Sequence, residues 1–314
     1  MERVLLLCPG FMGYDKIIDN ELKKKYDVIY VDTEQYLSPL RETYKKLSGV
    51  QKAFYKLFKR RRERYRENLL KKNEIFLKQT FENLTDIDFL LVVNGDALSN
   101  DAYEVIRRNN PKAKFILYIW DDIDWLFKIK HIKMFDEIYS YNIEDCIKHK
   151  FKYLPVFTGC DIGKINAEKK YDIAIIATAN KERVDFAKKL YKKYNDKYVL
   201  YIYFYSRDKR FDFFTHTTPL SYEEYINVVA QSRSIFEMGR FNQRGPTTRV
   251  FDALAVKTKI ITTNRRIKKY PVYGENILVV DKKIDIPKSF IMNPCLDMKE
   301  DTWTIEKWIA FILE

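Results

Sequence analysis

Apolar positions in this chain come in short unbroken runs, each closed by a turn residue and followed by a stretch with the 3.6-residue period of a helix. Arg3-Val-Leu-Leu-Leu-Cys8 is the first such run. A run without alternation is that of a strand covered on both faces, as in a parallel sheet. Pro9-Gly10-Phe11-Met12-Gly13 then turns the chain into a helix beginning near Tyr14. Asp27–Asp32, Phe89–Asn94 (closed by Gly95), Lys114–Trp120 and Glu137–Ser140 read as further strands, with a helix over Ser99–Asn109. A polar, Gly-containing break between Phe157 and Lys170 separates these from a second series. That series has strands at Tyr171–Ala177, Tyr198–Phe204, Ser234–Glu237, Lys259–Thr263 and Ile277–Asp281. Its helices are Lys181–Tyr194, one opened by Ser221 with Glu223 and Glu224 in its first turn, and Thr247–Ala255. Strands alternating with helices predict an α/β chain of two Rossmann-like, doubly wound parallel-sheet domains facing across a cleft. The first is expected over 1–160, with a helical insertion at about 40–83, and the second over 165–300.

A length of 314 residues suits two domains, and 46% hydrophobic with 15% aromatic residues excludes a disordered chain. Cys8, Cys146, Cys160 and Cys295 are scattered without a C-x-x-C pair, so reduced thiols in a cytosolic protein are expected rather than a disulfide framework or zinc knuckle. Val4–Cys8 is too short for a signal-peptide core, and no apolar run approaches the ~20 residues that span a bilayer. Charge changes the picture more. The chain carries a formal net charge of +13, and Arg41–Lys78 holds fourteen Lys or Arg against four Glu. Within it, Lys59, Arg60, Arg61, Arg62, Arg64 and Arg66 interleave with apolar residues, as on amphipathic helices with a basic face. Such a face can be merely solvated, can meet anionic lipid headgroups or a lipid-linked acceptor, or can track nucleic-acid phosphates. No nucleic-acid-binding signature accompanies it, and the membrane surface is the preferred partner. A cytoplasmic protein, peripheral at the inner face of the cell membrane, follows as the expected location.

In doubly wound sheets ligands sit beyond the carboxyl ends of strands, which selects the loops to inspect. The first turn, with Gly10, Phe11 and Gly13, lacks the G-x-G-x-x-G dinucleotide fingerprint, and Asn94 and Gly95 close a neighbouring strand. After Trp120 come Asp121, Asp122 and Asp124, which suit a general base, a D-x-D metal pair or a helix cap. His131, His149 and His216 are isolated, and no metal site is expected. The segment from Phe236 to Ala255 is the most informative, running from strand through a polar Gly-Pro loop to a helix. Arg240, Arg244 and Gly245 lie in the loop and Thr247, Thr248 and Arg249 at the helix start, an arrangement suited to a diphosphate. Asp252 follows in the first helical turns, where it could meet a ribose; Thr178, Thr263 and Asn264 close neighbouring strands.

The stretch Gly245–Asn264 (GPTTRVFDALAVKTKIITTN) resembles the donor-site region of GT-B glycosyltransferases, and more narrowly the bacterial CgeB-like and capsule or lipopolysaccharide-core group. The similarity extends to Phe115–Ile123, Asp136–Tyr141 with Asp145-Cys146, Tyr153–Phe157 and Trp303–Trp308. It implies a nucleoside diphosphate sugar held mainly by the second domain and a glycan or lipid-linked acceptor on the first, at the Gly10, Phe11, Gly13, Asn94 and Gly95 loops. It also implies transfer without cofactor or bound metal, and a terminal helix, 301–314, that packs back on the first domain. Asp121 or Asp122 would then be the base, Arg249 with Arg244 or Arg240 would steady the departing diphosphate, and Asp252 would hold the ribose. The retaining members' two glutamates, eight positions apart, fall here on Arg244 and Asp252, and their Gly-x-Gly on Ala255-Val256-Lys257. These departures leave open a sugar-nucleotide epimerase of similar fold or a binding protein that has lost catalysis.

Overall fold

The computed structural model describes residues 1–10, 12–35, 80–95, 98–123, 132–160, 165, 167–239, 244–281, 283–297 and 304–314. The basic stretch containing Lys59, Arg60, Arg61, Arg62, Arg64 and Arg66 lies outside them, as do Phe11, Asp124 and Arg240. The chain divides into two compact units, Met1–Leu154 with Ile309–Glu314, and Pro155–Trp308.

The first unit is built on β1 (Arg3–Cys8), β2 (Asp27–Asp32), β3 (Phe89–Val93), β4 (Lys114–Ile119), β5 (Glu137–Ser140) and the short β6 (Lys152–Tyr153). They form one parallel six-stranded sheet in the order β2-β1-β3-β4-β5-β6. Helices α1 (Tyr14–Leu22), α2 (Asn100–Asn109) and α3 (Ile143–His149) connect them. The apolar runs are buried as the pattern demands: Val4 to Cys8, Leu90, Leu91 and Phe115 to Ile119 are all inside. Each fully buried Leu or Ile contributes about 1.5–3 kcal/mol. Gly13 is the N-cap of α1 at φ 85°, a left-handed conformation open to glycine at no steric cost. Gly10 packs so closely on Asp32 that a Cβ would come within 2.9 Å of its Oδ2.

The second unit repeats the scheme with β7 (Tyr171–Thr178), β8 (Leu200–Tyr205), β9 (Thr215–His216), β10 (Ser232–Glu237), β11 (Lys259–Thr262) and β12 (Ile277–Val279). All pairings are parallel, in the order β12-β11-β10-β7-β8-β9. Its helices are α4 (Lys181–Tyr194), α5 (Tyr222–Ala230), α6 (Thr248–Ala255) and α7 (Lys288–Met292); α8 (Ile305–Leu313) starts here and ends in the first unit. Ser221 makes a capping box with Glu224, which is why α5 starts there.

Both sheets have the doubly wound topology expected from the alternating pattern. In each, the chain leaves a central strand on one side and returns on the other, placing a switch point between β1 and β3 and between β7 and β10. Ligands of such sheets gather at the carboxyl ends of the strands flanking that point. Among the described residues no helix is long and apolar enough to cross a membrane.

Candidate functional site

At the switch of the first sheet, Gly10 follows β1 and Asn94 follows β3. The Gly10 amide donates to Asp32 Oδ1 at 2.8 Å, and the Glu34 amide donates to the same oxygen at 2.8 Å. Asn94 and Gly95 are both left-handed, at φ 64° and 72°. The Asn94 amide donates to the Tyr118 carbonyl (2.8 Å), its side-chain oxygen accepts from the Trp120 amide (3.1 Å), and its Nδ2 donates to Asp121 Oδ2 (3.0 Å).

The loop after β4 separates the two aspartates expected as base. Asp122 is 1% exposed, and its Oδ1 accepts from the Tyr141 hydroxyl (2.9 Å) and Asn142 Nδ2 (2.6 Å). The Ile123 amide donates to Asp145 Oδ2 at 2.9 Å, fixing the next residue as well. Asp122 therefore ties the loop to the start of α3, and of the pair only Asp121 is partly open to solvent. A base must reach a substrate hydroxyl directly or through one water, a condition that favours the partly open Asp121 over the buried Asp122. Among the described residues no three His, Cys, Asp or Glu side chains converge as a metal site.

At the switch of the second sheet, Thr178 ends β7 and is exposed. Arg183, on the first turn of α4, donates to the Thr178 carbonyl (3.1 Å) and to the Met238 carbonyl (3.0 Å), spanning the ends of β7 and β10. Glu237, the last residue of β10, is buried; it accepts from Thr247 Oγ1 (3.2 Å) and Thr262 Oγ1 (2.7 Å). Thr247 is the N-cap of α6, yet among the described residues its side chain makes no capping hydrogen bond. Its hydroxyl is turned to Glu237 instead, so among the described residues the positive end of α6 is not capped by its own N-cap side chain. Gly245 and Pro246 are buried against this terminus, while Arg244, Thr248 and Arg249 are half-buried around it. Asn264 donates from Nδ2 to the Arg244 carbonyl (3.2 Å), holding the loop before α6, and Thr263 beside it is exposed.

Asp252, expected to meet a ribose, is engaged by the protein's own hydroxyls. It is 0% exposed, and its Oδ1 accepts from Thr158 Oγ1 (2.8 Å) and the Tyr222 hydroxyl (3.0 Å). Any ribose contact would have to share this carboxylate with those hydroxyls. Cys160 belongs to the same cluster, its thiol 3.3 Å from the Tyr222 hydroxyl. One turn along α5 lies Tyr225, fully buried, whose hydroxyl has no hydrogen-bond partner among the described residues. Burial first, and then the Asp252 charge, push this phenol well above its usual range; Arg249 pulls it down and Glu237 pushes it up.

Sequence reasoning put Arg244, Gly245, Thr247, Thr248 and Arg249 in the loop and start of one helix and Asn264 at the end of the next strand; in the structure the first five lie at and before the start of α6, and Asn264 follows β11 and reaches the Arg244 carbonyl. It missed Glu237, Arg183, Thr158, Tyr222 and Tyr225. A carboxylate ending a buried strand was a visible signal for Glu237; the others join the site only through tertiary contacts.

No protein-family model matches the chain, and no curated protein matches it by sequence. Among solved structures, it is similar to S. aureus MnaA in a co-structure with UDP, at 10% identity and a TM-score of 0.51 over 83% of this chain and 79% of that one. A UDP-N-acetylglucosamine 2-epimerase gives 11% identity and a TM-score of 0.43, again over 83% and 79%. The spinosyn forosaminyltransferase SpnP gives 10% and 0.46 over 99% and 90%. At 10% identity the MnaA likeness is one of fold, that of GT-B-type proteins with two Rossmann-like units.

Proposed function

We propose that this chain is a glycosyltransferase that moves a sugar from a nucleoside diphosphate sugar to a hydroxyl of a cell-surface glycan or lipid-linked acceptor, without a bound metal. The observation that carries the reading is the amino terminus of α6. Its N-cap side chain is turned to Glu237, its first turn holds Arg249, and it opens at the switch point of the second sheet. A helix amino terminus that its own N-cap side chain does not cap, the helix dipole and a guanidinium together suit a diphosphate. The same groups meet the negative charge that develops on the departing diphosphate, which is where electrostatic stabilisation speeds transfer. On the first unit, Asp121 takes the acceptor's proton. The UDP in the MnaA co-structure makes uridine diphosphate the first probe.

The test is a thermal-shift panel of UDP, GDP, CDP and ADP with and without magnesium, followed by sugar-nucleotide turnover on any hit. A shift by one diphosphate, the same without magnesium and lost in Arg249→Ala, is the expected result. At a hundred times Kd, ligand linkage amounts to about 2.7 kcal/mol, and loss of Arg249 should slow turnover about a hundredfold. No shift with any diphosphate would refute the donor site. Release of an epimerised sugar nucleotide without acceptor would replace transfer by epimerisation.

A further inference from the structure

Two consecutive residues in the left-handed region, one of them not glycine, end a central strand of the first sheet at its switch point. Asn94 is 6% exposed and sits at φ 64°. A non-glycine residue there costs of order 1 kcal/mol and persists where the surroundings over-determine it. Here they do. The amide is pinned to the Tyr118 carbonyl and the side-chain oxygen to the Trp120 amide. Both bonds reach β4 and its end, so the remaining side-chain group, Nδ2, is aimed at the residue that follows, Asp121. The rest of that loop is fastened separately, Asp122 by Tyr141 and Asn142 and Ile123 by Asp145.

We propose that Asn94 is a positioning residue for Asp121: its amide holds Oδ2 at 3.0 Å and so fixes the orientation in which the carboxylate would meet an acceptor hydroxyl. The inference rests on the reading of Asp121 as the base, but its core, a donor that orients and favours the ionised carboxylate, is testable without an acceptor. A neutral amide donor suits this task because it stabilises the carboxylate without neutralising it, as a lysine or arginine would by ion pairing.

The experiment is a pH titration of the Asp121 carboxyl carbon by NMR in protein labelled at aspartate, the signal assigned by its loss in Asp121→Asn. Asn94→Gly removes the amide while keeping a residue at ease at this φ, and Asn94→Asp replaces the donor by a second carboxylate. The expected result is a midpoint raised by about half a pH unit or more in Asn94→Gly, and a larger rise, with the proton shared by the pair, in Asn94→Asp. The acid limb of sugar-nucleotide hydrolysis should move with it, at unchanged KM. Midpoints equal to that of the unaltered protein in both variants would overturn the proposal. If the midpoints move but Asp121→Asn keeps its full hydrolysis rate, the orientation stands and the reading of Asp121 as base falls. Circular dichroism spectra coinciding with that of the unaltered protein show that the variants fold, and Asn94→Gln offers a second variant in which the donor is displaced by one methylene.

Discussion

Leaving a buried hydroxyl unpaired costs about 1–3 kcal/mol, and among the described residues the Tyr225 hydroxyl has no partner beside Asp252, Arg249 and Glu237. A group of this kind is retained where something outside the chain can satisfy it. Phe in its place removes the orphan oxygen without changing the ring that packs in the unit. We therefore expect Tyr225→Phe to raise the melting temperature of the ligand-free protein by ~2–4 °C, the shift that about 1 kcal/mol gives a unit of this size. The stabilisation produced by the effective diphosphate should shrink in the same variant. Differential scanning fluorimetry reads both. A lower melting temperature with an undiminished diphosphate shift would mean that the hydroxyl serves the free protein and has no part in the site. The carboxylates show the same division at the level of single residues. Asp122 and Asp252 are buried on the protein's own hydroxyls and amide, whereas Asp121, held by the Asn94 amide, is partly open to solvent.

Elements are held in register partly by side chains that cross strands, and Glu137 on β5 is the best placed of these. It lies 3.2 Å from Lys114 on β4 and 3.1 Å from Lys152 on β6, and it also accepts from Tyr139. Burial alone would raise its pKa, but hydrogen bonds from Tyr139, Lys152 and Lys114 outweigh it and hold the carboxyl at about 2, below its usual 4.5. A folded-state pKa below the unfolded one contributes stability that is full above pH 4.5 and lost as pH falls towards 2. With the lysines partly exposed to solvent, ~1 kcal/mol is the expected size. Urea unfolding of the Glu137→Gln variant should show a loss of that order at pH 7 and a shallower decline between pH 4.5 and 2; an unchanged acid slope would remove the ion pairs from the account. What was legible in the sequence follows the same physics. Runs such as Val4–Cys8 announced β1 because burial on both faces demands unbroken apolar residues, and Ser221 with Glu224 announced α5 through local capping chemistry. The two-residue strands β6 and β9 are too short to carry a period. The contacts that shape the site were illegible for another reason: Asn94 meets Asp121 across 27 positions and Thr158 meets Asp252 across 94. No local pattern encodes a partner at that separation.

For the molecule as a whole, charge is the dominant fact. Of a net +13, an excess of ten lies between Arg41 and Lys78, outside the described residues. Attraction to an anionic bilayer contributes about 1 kcal/mol per basic residue near the surface, so even a few of these side chains in contact would hold the protein on vesicles. The attraction decays within a Debye length, about 10 Å at 0.1 M salt. We accordingly expect sedimentation with vesicles of mixed zwitterionic and anionic lipid at 0.05 M salt, release at 0.5 M, and no binding to purely zwitterionic vesicles. Replacing Arg60, Arg61, Arg62, Arg64 and Arg66 by Glu should abolish co-sedimentation while leaving the diphosphate-induced melting shift intact, because the α6 terminus belongs to the second unit. Equal co-sedimentation of both forms would show that the basic stretch is only solvated. Equal affinity of the unaltered protein for single-stranded nucleic acid and for anionic vesicles, with the same salt slope, would mean that it recognises polyanions in general. A preference for the vesicles at matched salt and phosphate concentration would put the working surface of the protein at the membrane, where a lipid-linked acceptor is found.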